Sequence, residues 1–172
     1  MKEIPGGYVH LSRGESSSLT CRLAAPERYE IMSMSTAELE TFLAQTLPTP
    51  LGVIATLRRD GSPHIVPVWF RWRTGAVTIW TTETRVWVRN LLRDPRVAFS
   101  VQTFEEPFPA VMIRGDATVA TANDGAMIEE IRAITRRYIV PEEVEGYISR
   151  WPELRTIVTI VPAHIVSWSA GG

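Results

Sequence analysis

The segment Trp80-Thr81-Thr82-Glu83-Thr84-Arg85-Val86-Trp87-Val88-Arg89 gathers the residue types that hold a phosphate. Its threonine hydroxyls stand where an extended run ends and a helical one begins. The first amides of a helix have no internal acceptor, so that junction favours an anion. On a helix read over 84–92, Arg85 and Arg89 are four apart and share a face, and Arg93 continues the stripe. Guanidinium forks hold phosphate in a bidentate way. The same spacing describes a solvated basic face with threonines as ordinary caps. Spacing alone leaves both readings open.

A second segment, His64-Ile65-Val66-Pro67-Val68-Trp69, carries a proline in mid-strand. Proline lacks an N–H, which suits a sheet edge or a bulge. A flat heteroaromatic ring can lie along such an edge and use main-chain groups as partners. A barrel corner without a ligand is the other reading. His64 shares a face with Val66 and Val68, so it is placed to approach a ligand there. His164 reads as structural, His10 as exposed, and Glu105 and Glu106 as solvated. Trp168 reads as a hydrophobic plug, or as a cover for a ring or a seal for a dimer. No cluster has metal-ligand spacing, and no nucleophile elbow or Gly-rich dinucleotide fingerprint occurs. No catalytic residue and no metal ligand is therefore assigned.

The elements that must position these segments follow from periodicity. Ser35 to Glu38 is a capping box, with Leu39, Phe42, Leu43 and Leu47 at helical spacing, which predicts a helix over 36–47. Strands are expected over 51–58, 64–71 and 76–82, joined by Asp60-Gly61 and Thr74-Gly75 into a meander. A strand at 96–103, a proline-bounded loop at 104–109 and a long strand at 110–121 follow, with Gly115 as a bulge. Asn123 is expected to cap a helix to about Tyr138, with Met127, Ile128, Ile131, Ile134 and Tyr138 inward. A shorter helical piece spans 141–151, and two closing strands span 156–161 and 164–168. Residues 1–33, with Pro5-Gly6-Gly7 and a Ser run, read as an arm, and 34–172 as the domain.

Composition excludes several classes. With 18 basic and 19 acidic residues the net charge is -1, against a general nucleic-acid binder. No run reaches the roughly 18 apolar residues of a membrane span. The single cysteine, Cys21, forms no internal disulfide, which points to a reducing, cytoplasmic setting. Six tryptophans are an excess, and tryptophan often lines pockets and interfaces.

Three pieces, LGVIATLRRDGSPHIVPVWF at 51–70, IWTTETRVWVRNLLRDPRVAFSV at 79–101 and VMIRGDATV at 111–119, carry a family likeness. Together they resemble the FMN-binding split-barrel superfamily, and within it the small pyridoxamine phosphate oxidase-like proteins that use FMN or coenzyme F-420. The resemblance covers about 36–168. It implies a mostly β fold with helices, a Greek-key split β-barrel, and a homodimer with two cofactors at its interface. It implies an oxidoreductase that moves hydride to or from a small organic substrate, with FMN first, F-420 as the alternative and haem third. A non-catalytic carrier of flavin, deazaflavin or haem is the other function it permits, with His64 or His164 as a haem ligand. A catalytically empty dimer that serves as an interaction platform is a third. Val66, Pro67 and Val68 fall where the family lays the isoalloxazine ring. Trp80, Thr81 and Thr82 fall where its phosphate grip begins. Arg85 replaces the family's small hydroxyl residue, and Trp87 replaces its lysine. The implied cofactor set is therefore Val66, Pro67, Val68, Trp80, Thr81, Thr82, Arg85, Trp87 and Arg89. The missing ammonium implies weaker FMN binding, and Trp87→Lys is expected to tighten it.

Overall fold

The computed structural model of the chain describes residues 31–46, 48–105, 108–122, 124–151 and 155–170. Most of the expected arm, with Cys21 and His10, lies outside the described residues, as do Leu47, Glu106 and Asn123. The elements run β1 (Ile31–Met32), α1 (Thr36–Ala44), β2 (Gly52–Leu57), β3 (Pro63–Val68), β4 (Arg71–Arg73), β5 (Ala76–Thr82) and α2 (Val86–Arg93). Then come β6 (Arg96–Gln102), β7 (Ala110–Ala122), α3 (Gly125–Thr135), α4 (Val144–Ser149) and β8 (Arg155–Ala170), with a 3-10 turn at Pro141–Glu143 before α4. The sheet order is β3-β2-β6-β7-β8-β5-β4, and β1 pairs with the far end of β8. Every pairing is antiparallel.

The capping box forms as expected. Ser35 Oγ accepts from the Glu38 amide at 3.3 Å, and Glu38 Oε2 accepts from the Ser35 amide at 2.7 Å. The helix stops at Ala44, short of 47, because Gln45 leaves helical backbone. The guanidinium of Arg137 donates to the carbonyls of Leu43 and Gln45 at 2.9 and 3.0 Å, which satisfies the frayed end.

The three-strand meander is not what forms. β3 pairs only with β2 and stays at the sheet edge, whereas β5 pairs with β4 and β8. The strand read over 64–71 breaks at Trp69-Phe70. There the Phe70 amide donates to Tyr138 Oη at 3.2 Å, and its carbonyl accepts from Arg137 Nη1 at 2.7 Å. With both main-chain groups held by side chains, Phe70 has no ladder to join, and its ring drops into the core. The edge placement does suit Pro67, which sits opposite Val53.

Ile54, Ile79, Phe99, Ile113 and Ile160 are fully buried on the inner face of the sheet, and Phe70 is fully buried against them from the β3–β4 connection. A second cluster, Ile131, Ile134, Val144, Ile148 and Ile157, joins α3 and α4 to β8. α3 is capped by Asp124, whose side chain accepts from the Met127 amide at 2.8 Å, so Asp124 holds the role expected of Asn123. α3 ends at Thr135, which leaves Tyr138 on the turn that follows.

The expected closing strands are one continuous strand, β8. A register shift opposite Arg114 and Gly115 absorbs the extra residue near Pro162 without ending the ladder. Here β7 and β8 approach so closely that a Cβ on Gly115 would sit 2.0 Å from the Val161 carbonyl oxygen. Backbone cannot yield as a flexible side chain does. Gly115→Ala should therefore destabilise the protein by about 1–3 kcal/mol, the usual cost of overpacking. A urea midpoint equal to that of the parent protein would show that the bulge can open freely.

Candidate functional site

The junction between β5 and α2 is the polar end of the site. Thr82 is buried, and its hydroxyl lies 3.1 Å from that of Thr84. The Arg85 amide closes a turn on the Thr82 carbonyl at 3.3 Å. This turn delays the helix, so Arg85 is the extended N-cap residue and α2 begins at Val86. Its carbonyl accepts from the Val88 and Arg89 amides at 3.1 and 3.2 Å, while its side chain makes no cap bond. The guanidinium stands over the Trp151 ring, 5.8 Å from the centroid. Arg85 is thus the residue that enters the helix and not, as read from spacing, a member of its first turn, with Arg89 one turn further on.

A cavity of about 590 Å³ opens between this junction, the β3 edge and α4. That size falls within the usual range for small-molecule sites. The cavity brings together Val66, Pro67 and Val68 from β3, and Trp80, Thr81, Thr82, Arg85 and Trp87 from β5 and α2. Arg89 is exposed and does not belong to its lining. Arg93 is turned away, donating to the Leu57 carbonyl and, at 3.4 Å, to Asn90 Oδ1. Asn90 itself is buried and donates to Thr56 Oγ1 at 3.1 Å. Arg93 and Asn90 therefore fasten α2 to β2.

Sequence reasoning missed the aromatic side of the cavity, made by Trp69, Tyr147 and Trp151, and also Leu51 and Val86. The signal was present for two of them, since Tyr147 and Trp151 stand four apart in a helical stretch. His64 is in the lining, whereas His164 and Trp168 are not. On β8 these two pair with Arg114 and Ala110, on the sheet face away from the core.

Trp69 stacks on Tyr138 with centroids 4.9 Å apart and planes 3° from parallel. Tyr147 tilts against Trp69 at 5.0 Å and meets Trp80 edge-on at 5.9 Å. Burial pushes the Tyr138 phenol above its ordinary range and the Arg137 guanidinium below its own. Among the described residues, the buried side-chain polar atoms without a partner are His64 Nδ1, Trp80 Nε1 and Arg137 Nε. Two of these three belong to the cavity wall. Buried polar groups are normally paired, so a ligand is a physical reason for leaving them open.

The donor set fits a planar ring that carries a phosphate. The β3 edge offers main-chain groups outside the ladder. The Thr81 and Thr82 hydroxyls, the first amides of α2 and Arg85 provide the anion end. Among the described residues, no carboxylate is in the lining and no group of three or more potential metal ligands converges. No described helix is long and apolar enough to cross a membrane.

The profile of the family described as pyridoxamine 5'-phosphate oxidase matches residues 35–169. No curated protein matches the chain. Among solved structures, a conserved hypothetical protein from Mycobacterium tuberculosis aligns at 26% identity, covering 85% of this chain and 91% of the other, with a TM-score of 0.70. An F420 reductase aligns at 24% identity over 82% of this chain and 98% of its own, with a TM-score of 0.56. A haem storage protein from Vibrio cholerae aligns at 14% identity over 79% and 96%, with a TM-score of 0.62. Below 25% identity, the last two show a shared fold alone.

Trp87 changes one expectation from sequence. It is only 5% exposed and belongs to the main core cluster. A lysine there would bury an ammonium among apolar side chains and leave much of the indole volume empty. Trp87→Lys should therefore destabilise the fold by about 3 kcal/mol or more, the scale of emptying a buried Trp site. Denaturant unfolding of Trp87→Lys beside Trp87→Phe checks this; equal midpoints for Trp87→Lys and the parent protein would show that the position is not committed to the core.

Proposed function

Because the chain belongs to the pyridoxamine 5'-phosphate oxidase family, we propose that it is a homodimeric oxidoreductase. It binds FMN, or the deazaflavin coenzyme F-420 in its place, and moves hydride to or from a small organic substrate. One observation carries this reading: a single cavity sets an open strand edge beside an anion-favouring helix start. FMN and F-420 share those two needs, a tricyclic ring and a phosphate. When bound, the cofactor supplies the hydride chemistry at its ring. The chain supplies the rest. Thr81, Thr82 and Arg85 hold the phosphate, Val66 to Val68 align the ring, and the aromatic wall excludes water. A haem carrier is the second reading, and the unpaired Nδ1 of His64 in the cavity wall favours it. The visible spectrum of the purified protein separates flavin, deazaflavin and haem.

The register of the sheet supports the dimer. Pro67, Val53, Ser100, Met112 and Val166 form one row across five strands on the side away from the core. The next row runs Ile65, Ala55, Ala98, Arg114 and His164, apolar on the β3 side and polar toward β8. Ile65, Met112 and Val166 are 62%, 46% and 41% exposed. Large exposed apolar side chains gathered on one sheet face and bordered by polar ones mark an interaction surface. A second copy seated on this face buries it, and obligate interfaces commonly exceed about 2,000 Å².

Two outcomes are expected. Arg85→Ala should loosen FMN or F-420 about tenfold or more, the scale of one charge-assisted contact, and reduce the salt sensitivity of binding. Calorimetric titration reads both, and unchanged affinity would remove Arg85 from the site. Light scattering at micromolar concentration should give twice the chain mass, and the pair Met112→Lys with Val166→Lys should give one chain mass. A parent protein of one chain mass ends the dimer reading.

A further inference from the structure

We infer that the aromatic wall of the cavity is a compartment of its own, which takes a flat, uncharged ring compound bearing an oxygen acceptor. Calling that compound the substrate rests on the flavin or deazaflavin reading; the compartment itself does not.

Three rings from three elements build the wall: Trp69 at the crossover after β3, Trp80 on β5 and Tyr147 on α4. They are half-buried, so part of each remains open to the cavity. Their positions are fixed by one another. Trp69 lies between Tyr138, nearly parallel at 4.9 Å, and Tyr147 at 5.0 Å, while Trp80 abuts Tyr147 at 73°. A wall needed only to close the core would be served by aliphatic residues. Immobile ring surface held against open space instead suits a flat partner, because offset and edge contacts between rings add to simple burial.

The polar groups narrow the class. The indole N–H of Trp80 donates only, and in its buried place it has no acceptor. A carbonyl-type oxygen on the partner satisfies it, and the unpaired Nδ1 of His64 offers a second polar contact in the same cavity. Charge is excluded on two grounds. Among the described residues no carboxylate is in the lining to receive a cation. Among the described lining residues Arg85 carries the formal charge; its guanidinium stands over the Trp151 ring, and in this reading the cofactor phosphate takes it, so a second anion finds no further counter-charge.

Fluorenone is a suitable probe, flat and neutral with one carbonyl oxygen. Fluorene keeps the ring without the acceptor, and proflavine is a flat cation. Binding is read by quenching of tryptophan fluorescence and by calorimetry, on protein with and without FMN. Fluorenone should bind both forms, about two- to tenfold more tightly than fluorene, the scale of one hydrogen bond. Proflavine should bind more weakly than fluorenone. Trp80→Phe should erase the preference for fluorenone over fluorene. Tyr147→Ala should loosen fluorenone about two- to tenfold, the scale of one ring contact, while Tyr147→Phe keeps parent affinity and shows that the wall still folds. Competition between FMN and fluorenone for one place would overturn the inference, since the wall would then be the cofactor's own platform. Equal binding of fluorene, or tighter binding of proflavine, overturns the assigned class. If fluorenone binds with this dependence on Tyr147 while neither FMN nor F-420 binds, the compartment stands and the cofactor reading falls.

Discussion

The grip of Arg137 and Tyr138 on Phe70 is the contact on which the rest of this architecture depends. Arg137 carries its charge into a half-buried place with no carboxylate partner among its hydrogen bonds, and donates to the carbonyls of Phe70, Leu43 and Gln45. Burial disfavours its charged form, and three carbonyl dipoles together with the Phe70 ring, 4.6 Å from the guanidinium carbon, offset that cost. Tyr138 adds a bond from the Phe70 amide and one to the Pro50 carbonyl. Two adjacent residues thereby end α1, interrupt the chain between β3 and β4, and tie both to the turn after α3. Because hydrogen-bonded charge is costly to leave unpaired, this junction has little freedom to rearrange.

The functional geometry descends from that break. Had the chain run straight through Trp69 and Phe70, β3 could have continued toward β5 as a meander, and its edge would have been covered. Instead β3 ends at Val68, its far edge stays outside the ladder, and β5 is carried across to β8. The gap between the β3 edge and the end of β5 is the cavity. Trp69, the residue just before the gripped Phe70, is stacked on Tyr138 and so becomes a fixed wall of that gap. One local interaction thus opens the site and furnishes its rigid side.

What could be read from the sequence was local. The Ser35 capping box and the edge role of Pro67 each follow from the chemistry of a few neighbouring residues, and each forms; the irregularity expected at Gly115 also appears, but its extra residue, Ala163, lies on β8 opposite the glycine. The break at Trp69-Phe70 was hidden because its partners lie 67 and 68 positions away. The start of α2 was misplaced for a subtler reason. Thr84 and Arg85 are acceptable in a helix, but the turn closed on Thr82 holds Arg85 in extended backbone. That single shift sets Arg85 at the N-cap, with its guanidinium over the Trp151 ring. Tyr147 and Trp151 carry a readable four-residue spacing, but nothing local tells that α4 is folded back against β3 and β5.

Trp87 shows how a departure from a family pattern can be absorbed by packing. The main core cluster takes the indole in, and α2 is secured by Asn90 on Thr56 and by Arg93 on the Leu57 carbonyl. With position 87 committed to the core, positive charge near the polar end comes from Arg85, one residue before the helix. A cation there opposes the helix dipole, which favours negative charge at the first turn. Its contact with Trp151 offsets part of that cost in the free protein, and a bound anion would offset more. Arg85 therefore has an alternative resting partner within the same cavity. The aromatic wall and the anion end are joined through that residue, so the energetic state of one is set partly by the occupancy of the other.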